Sequence, residues 1–308
     1  MNPDSTISTK QIAAIFQYYN LAVNPKISRI KVGFNNEVYE VDRYILKIYL
    51  RKNALEKLNN EEQLFRLLES KVLVPKVVVG DNSKKLIPQP FIIYYKIAGD
   101  SLGMHWHELS NNQQKSIIKD LIVQIKLVSG FFPDPKLTPP QSWEHWICSE
   151  IEKNSKWLDE KSLLPRSTIN KINNFLNKNR NVLKRENLKF VYWDVHLDNM
   201  IINDQSELVG LVDFEHAEVA SIDYILHIVR KMSRYPELYL IGEAQKDANP
   251  QDYVKLMTWY REFYPDLFEF PSLDLRLDLY ELGEILRQVP RFPNTTDLGV
   301  RLRNILAQ

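Results

Sequence analysis

The 308-residue chain holds a single cysteine, Cys148. No intrachain disulfide can form, which excludes a disulfide-stapled scaffold and fits a reducing compartment. Neither sign of charge is in excess: forty Lys and Arg stand against thirty-nine Asp and Glu, a formal net charge of +1. Without a basic surplus there is little to release counterions from a polyanion, and no nucleic-acid partner is expected. No apolar run approaches the ~18–20 residues that a membrane span needs, so no membrane partner is expected either. The opening MNPDSTISTKQ is polar and has no signal-peptide core, which makes the cytoplasm the expected location. Internal repeats and low-complexity tracts are absent too. The overall composition, 44% apolar and 26% charged, is that of an ordinary soluble globular chain, long enough for one large domain or two lobes.

The order of patterns divides the chain near residue 97. A helical stripe over Thr9 to Leu21 precedes three β-rich runs, Ile27 to Val32, Glu37 to Val41 and Tyr44 to Tyr49, with turn residues between them. They predict an antiparallel meander. Ala54 to Leu68 reads as a helix, Lys76 to Val79 as a short strand ending at a Gly80–Ser83 turn, and Phe91 to Lys96 as a further strand. Beyond residue 100 the pattern becomes helical. Ser110 and Gln113 form a capping-box signature ahead of Ile118, Leu121, Ile122 and Ile125, and helices are predicted over Ser142 to Leu158 and Ser167 to Leu183. The run from Leu273 alternates like a strand, but its length favours a helix. The class is therefore α+β, with residues 1–97 as a small N-terminal antiparallel β lobe carrying one main helix and residues 98–308 as a larger, mostly helical lobe.

Chemistry concentrates in Phe190 to Ala217, FVYWDVHLDNMIINDQSELVGLVDFEHA. Short apolar strands alternate there with acidic loops. Asp194 follows the first strand, Asn199 lies five residues on, and Asp213 ends the third strand. Two carboxylates and an amide on neighbouring loop tips suit phosphoryl transfer, with one carboxylate facing an acceptor hydroxyl and the other two groups holding magnesium. Earlier in the chain, Lys47 stands between Leu46 and Ile48 in a predicted strand, where an ammonium needs an anion or water. Glu61 on the following helix is a candidate partner, and Glu62 is an alternative. Backbone amides of the loop from Gly33 to Asn36 are candidates for phosphate contact.

Taken in order, Gly33-x-x-Asn36-x-x-Tyr39, Lys47, Glu61, Val74-Pro75, Tyr94 to Gly99, Asp194-x-His196-x-x-Asn199 and Val212-Asp213-Phe214-Glu215-x-Ala217 resemble the aminoglycoside phosphotransferase and choline kinase family. The resemblance implies a protein-kinase-like bilobal fold and ATP, or GTP, with Mg2+ as cofactors. It implies Asp194 as the catalytic aspartate, Asn199 and Asp213 as metal ligands, and Lys47 with Glu61 as the phosphate anchor, beside Asn36. Tyr95 to Ile97 would form the hinge whose backbone meets the nucleobase, and His196 would shape its loop. Two positions depart from the family. Tyr192-Trp193 replace the His-Gly before the catalytic aspartate, so that an indole either lines the acceptor pocket or reshapes the loop. Ala220-Ser221-Ile222 stand where Gly-Asp-Pro is usual, leaving Asp223 as the later acid. These departures motivate an alternative, a non-catalytic nucleotide-binding module of the pseudokinase type.

Between Glu237 and Arg287 eleven acids face five bases. In the family this region walls the acceptor pocket, so the acceptor is expected to be a small cationic alcohol, aminoglycoside-like or amino-alcohol-like. Other candidates carry less. His105 and His107 lack a third ligand at zinc spacing. Trp143, Trp146 and Trp157 read as helix packing, and Glu215 and His216 as neighbours of the metal site.

Overall fold

Local signals are obeyed closely at the start of the chain. The computed structural model describes residues 7–30, 36–131, 142–238, 249–292 and 296–307. Helix α1 (Thr9–Tyr18) opens on a reciprocal cap: Gln11 N donates to Ser8 Oγ at 3.3 Å and Ser8 N to Gln11 Oε1 at 3.0 Å. Ile12, Ile15 and Phe16 face inward at helical spacing. The expected meander is β1 (Ile27–Ile30), β2 (Asn36–Val41) and β3 (Tyr44–Tyr49). Residues 31–35, which include Gly33 and most of the candidate phosphate loop, lie outside the described residues. Helix α2 (Ala54–Leu68), β4 (Val77–Asp81) and β5 (Phe91–Tyr95) follow, and the five strands form one antiparallel sheet in the order β1-β2-β3-β5-β4. Strand β4 runs through Gly80, where a turn was expected. Pairing of Gly80 with Ile92 and of Asp81 with Phe91 carries it on, and the turn begins only where Asp81 Oδ1 accepts from Ser83 N at 2.6 Å.

The remaining elements are β6 (Asp100–Ser101), α3 (Leu102–His105), α4 (Asn111–Gly130), α5 (Trp143–Glu160), α6 (Arg166–Asn179), β7 (Leu188–Val191), β8 (Met200–Ile202), β9 (Leu208–Leu211), β10 (Glu218–Ser221), α7 (Ile225–Arg234), α8 (Leu256–Phe263), α9 (Leu273–Gln288) and α10 (Thr296–Leu306). The predicted box at Ser110 and Gln113 is formed at the head of α4. The chain divides into two compact units. One is drawn from residues 1–127, 196–216 and 237–249, the other from 128–195, 217–236 and 250–308.

In the first unit, alternation along β3 sorts its side chains between two faces. Tyr44, Leu46 and Ile48 join α1 in an apolar core with Tyr39, Val41, Phe91 and Ile93. Ile45, Lys47 and Tyr49 take the other face, toward α2. A smaller sheet, β6-β8-β9, carries the ends of β8 and β9 side by side, with Met200 opposite Leu211.

In the second unit, α9 is a helix despite its Leu-Asp-Leu-Arg-Leu-Asp-Leu alternation. From Arg276 to Leu286 it is buried nearly all round, so the polar residues of that stretch mark internal ion pairs and not a solvent face, while Asp274 is exposed. Asp278 and Glu281 take Arg230 Nη2 at 2.8 and 3.1 Å, Glu281 also takes Arg301 Nε at 2.9 Å, and Glu284 takes Lys231. Trp143 stacks on Trp146 with ring centroids 5.1 Å apart, as helix packing predicts, whereas Trp157 is exposed.

His227 on α7 sits among these charges. Burial pushes its pKa down from 6.5 to about 3, opposed by Glu284 and assisted by Lys231 and Arg287. Between those values the unfolded chain takes up a proton that the folded chain refuses, so stability falls as pH drops below about 6.5. The thermal midpoint of the protein should fall from pH 7 to pH 5, and His227→Asn should flatten that slope. Equal slopes for the two proteins would remove His227 as the cause.

Candidate active site

The site in the first unit is built around one ammonium. Lys47 Nζ donates to Glu61 Oε2 at 2.7 Å and to Asp213 Oδ1 at 2.8 Å, with Glu215 Oε2 at 3.3 Å. Strand register places it: Lys47 pairs with Val38 on one side and Ile92 on the other, fixing which face it takes. Glu61 arrives from α2, on a stripe with Lys57, Leu64 and Leu68 whose spacing puts all four on one helix face. It is wholly buried and accepts also from the Tyr49 hydroxyl and from Phe214 N, the latter at 3.2 Å. Glu62 turns away to Arg66 at 2.9 Å and covers Gly80, so of the two candidate acids Glu61 is the lysine's partner. Burial alone would push the Lys47 pKa down. The carboxylates of Asp213, Glu61 and Glu215 outweigh that and hold it well above the usual lysine range.

Asp213 holds φ at 62°, a left-handed conformation that costs a non-glycine residue energy and that Asp tolerates better than most. Its side chain keeps 35% of its surface, against 2% or less for Glu61 and Glu215. Val212 N donates to Asn199 O at 3.0 Å, so the ends of β8 and β9 bring Asn199 and Asp213 to adjacent positions. Asn199 N in turn closes a short turn onto His196 O at 3.0 Å.

The three acids Glu61, Asp213 and Glu215 offer oxygens within 4.8 Å of one another. Glu61 and Glu215 are already satisfied by nitrogen and hydroxyl donors, and an ammonium stands among the three. Asp213, partly open and next to an amide, is the group left to meet a divalent ion. A carboxylate and an amide oxygen are hard donors of the kind magnesium takes, so the donor set of Asp213 and Asn199 fits that metal.

Lys57 went unread in the sequence. Lys57 Nζ donates to Glu215 Oε1 at 2.7 Å and lies 3.2 Å from His216 Nε2. Asn36, whose backbone amide is a candidate for phosphate contact, gives its side-chain Nδ2 to Glu215 Oε2 at 2.7 Å. Glu215 is thereby a buried member of the network. Burial raises its pKa, but the His216 hydrogen bond and the charges of Lys47 and Lys57 outweigh that and hold it far below the carboxylate range. The signal available in the sequence was Lys57 itself, a charge on the buried stripe of α2. At the candidate hinge, Tyr95 N donates to Lys76 O and Lys96 N to Arg43 O, both at 2.9 Å. These bonds use the N–H groups of Tyr95 and Lys96, so of the three N–H groups in the segment that of Ile97 is the candidate to meet a nucleobase.

Asp194 belongs to the second unit, three residues past the end of β7 and partly exposed between buried Tyr192 and buried Val195. Its neighbour Trp193 donates Nε1 to Glu218 Oε1 at 3.2 Å, and its ring meets Tyr224 edge-on at 5.4 Å. The later acid, Asp223, is wholly buried and bound by Arg276 at 2.7 Å.

No curated protein matches the chain. Solved structures do, over nearly all of it. The complex of gentamicin with APH(2'')-IIa has a TM-score of 0.71 at 16% identity, covering 99% of this chain and 97% of that one. ADP-bound aminoglycoside phosphotransferase APH(2'')-Ib has a TM-score of 0.68 at 15% identity, covering 97% of each. A thermostable mutant of aminoglycoside phosphotransferase APH(4)-Ia, in ternary complex with AMP-PNP and hygromycin B, has a TM-score of 0.69 at 11% identity, covering 97% of this chain and 98% of that one. At such identities the likeness is one of fold. It is the kinase-like fold of the aminoglycoside phosphotransferases, with an N-terminal antiparallel sheet and a helical C-terminal part, as the sequence implied. The sequence model of the phosphotransferase enzyme family matches residues 26–231, a span that takes in Lys47, Glu61, Asp194, Asn199 and Asp213, and the chain belongs to that family.

Proposed function

We propose that this phosphotransferase moves the γ-phosphoryl group of ATP, or of GTP, to a hydroxyl of a small cationic molecule. Residues 1–97 would form the nucleotide-binding part, and residues 98–308 would carry the catalytic and metal-binding loops and the acceptor pocket. The observation that carries the reading is the Lys47–Glu61–Asp213 constellation: a buried ammonium, oriented by a helix carboxylate, beside a partly open aspartate. Relatives of the same fold are described with nucleotides and aminoglycosides, among them a GDP and kanamycin complex.

Asp213 and Asn199 would hold magnesium, which when bound neutralises phosphate charge. Lys47, kept in place by Glu61, binds phosphate oxygens. Ile97 N–H meets the nucleobase. Asp194 orients the acceptor hydroxyl and takes its proton, so that the oxygen attacks as the bond to the leaving diphosphate breaks.

The cationic acceptor rests on the acids between Glu237 and Arg287, and their number overstates the case. Asp278, Glu281 and Glu284 are neutralised internally by Arg230, Lys231 and Arg301. Glu237, Glu262, Asp266, Glu269 and Asp274 are exposed, and their charge would act on a cation through solvent.

The test is nucleoside diphosphate release with magnesium across aminoglycosides, amino alcohols and neutral sugars. Turnover with a cationic acceptor, abolished by EDTA, is expected. Turnover only with neutral sugars would refute the cationic class. Nucleotide-dependent thermal stabilisation without turnover would favour the non-catalytic reading that Trp193 and the missing Gly-Asp-Pro suggest.

A further inference from the structure

Glu215 adds a third carboxylate beside Lys47, and a buried carboxylate 3.3 Å from an ammonium competes for it. Both of its oxygens are nevertheless taken by other donors. Oε1 accepts Lys57 Nζ and Oε2 accepts Asn36 Nδ2, each at 2.7 Å, while Lys47 directs its hydrogen bonds to Glu61 and Asp213. Lys57 is itself buried, on the same helix face as Glu61 and one turn before it. Helix α2 is thus tied to the segment after β9 twice. One tie runs from Glu61 to Phe214 N, the other from Lys57 to Glu215.

From this arrangement we infer that Lys57 is a positioning residue for nucleotide binding: it neutralises Glu215, so that the Lys47 ammonium stays between Glu61 and Asp213, in reach of phosphate oxygens. The inference rests on the phosphotransferase reading above only for what Lys47 binds. The placement of Lys47 is a statement about this chain's own side chains.

Without Lys57, Glu215 keeps its buried negative charge with one fewer cation. His216 Nε2 and Lys47 Nζ then both lie 3.3 Å from it, and of the two only Lys47 is a permanent cation. Lys57→Met should therefore draw Lys47 toward Glu215 and away from Asp213. Nucleotide affinity should weaken about tenfold, the scale of one hydrogen bond to a charged group. Glu215→Gln placed on top removes the competing charge and should restore affinity to within about threefold of the original, a reversal expected of coupled neighbours. Lys57→Arg, which keeps the cation, should weaken it by less than Lys57→Met.

Crystal structures and calorimetric titration with Mg-ATP on the full chain decide the matter. The expected results are Lys47 displaced onto Glu215 in Lys57→Met and affinity recovered in the double variant. Lys47 still on Asp213 in the Lys57→Met structure would overturn the inference. So would a double variant that binds as weakly as the single one, the result for a lysine that merely stabilises α2. Should the unaltered protein bind neither ATP nor GTP, the phosphotransferase reading fails, and the position of Lys47 in the two crystal structures still decides this one.

Discussion

Asp194→Ala should lower kcat by about 10²–10⁴-fold, the range a positioned general base contributes, while leaving nucleotide affinity near that of the unaltered protein. The separation follows from what each group is proposed to touch. The candidate nucleotide contacts of Lys47 and Glu61 and the proposed metal ligands Asn199 and Asp213 come from β3, α2 and the ends of β8 and β9. Asp194, past β7 and five residues before Asn199, is proposed to meet the acceptor hydroxyl and not the nucleotide. An interaction made mainly with the reacting proton strengthens in the transition state, so its loss appears in kcat and kcat/KM together and not in nucleotide binding. Asp194→Asn, which keeps the shape and removes the base, should lose nearly as much. A variant that keeps its rate would refute the assigned role. One that loses rate and nucleotide affinity in proportion would show damage to the whole site.

The parts of the molecule legible in the sequence are those in which local pattern and final burial agree. The meander could be read because β-branched and aromatic residues alternate between short turns, and α1 because Ser8 and Gln11 cap a clean apolar stripe. Lys47 was conspicuous for a related reason: an ammonium in an apolar strand demands a partner. Its partner was less legible. Glu61 and Glu62 are adjacent, and only the helix phase relative to the sheet sends one to Lys47 and the other to Arg66 and Gly80. The link between Lys57 and Glu215 could not be read, because 158 residues separate the two and no local periodicity reports such a pairing. Helix α9 could be read from its length, against a strand-like alternation. Arg276 and Asp278 in that alternation belong to ion pairs inside the unit, so the usual equation of polar with exposed did not hold for them. Buried charge therefore hid part of the acid count on which an acceptor preference was founded.

The buried charge of largest structural consequence is Arg276, on α9 with no surface exposed. Its guanidinium gives Nε to Asp223 Oδ2 at 2.7 Å and Nη2 to Asp223 Oδ1 at 3.0 Å. It also binds the Tyr280 hydroxyl at 3.0 Å, Arg185 O at 2.8 Å and Val182 O. Its carbon lies 4.5 Å from the Phe270 ring centroid. Asp223 is the acid that follows Ala220-Ser221-Ile222, where the sequence departs from the family motif. With Ser221 and Tyr280 it closes a buried polar cluster that joins α9 to the segment after β10. Arg276→Met fills much of the volume but strips Asp223 of its counter-ion, and breaking a buried pair from one side costs about 3–5 kcal/mol. At roughly 2–4 °C per kcal/mol for a unit of this size, the thermal midpoint should fall by roughly 6–20 °C. Removing the stranded charge as well should recover part of the loss, because a neutral buried cluster avoids the desolvation that an unpaired carboxylate suffers. Asp223→Asn combined with Arg276→Met should therefore melt above Arg276→Met alone. A single variant within about 2 °C of the parent would show that the cluster is not what holds α9, and a double variant melting below the single one would show that Asp223 does not depend on Arg276 for its charge.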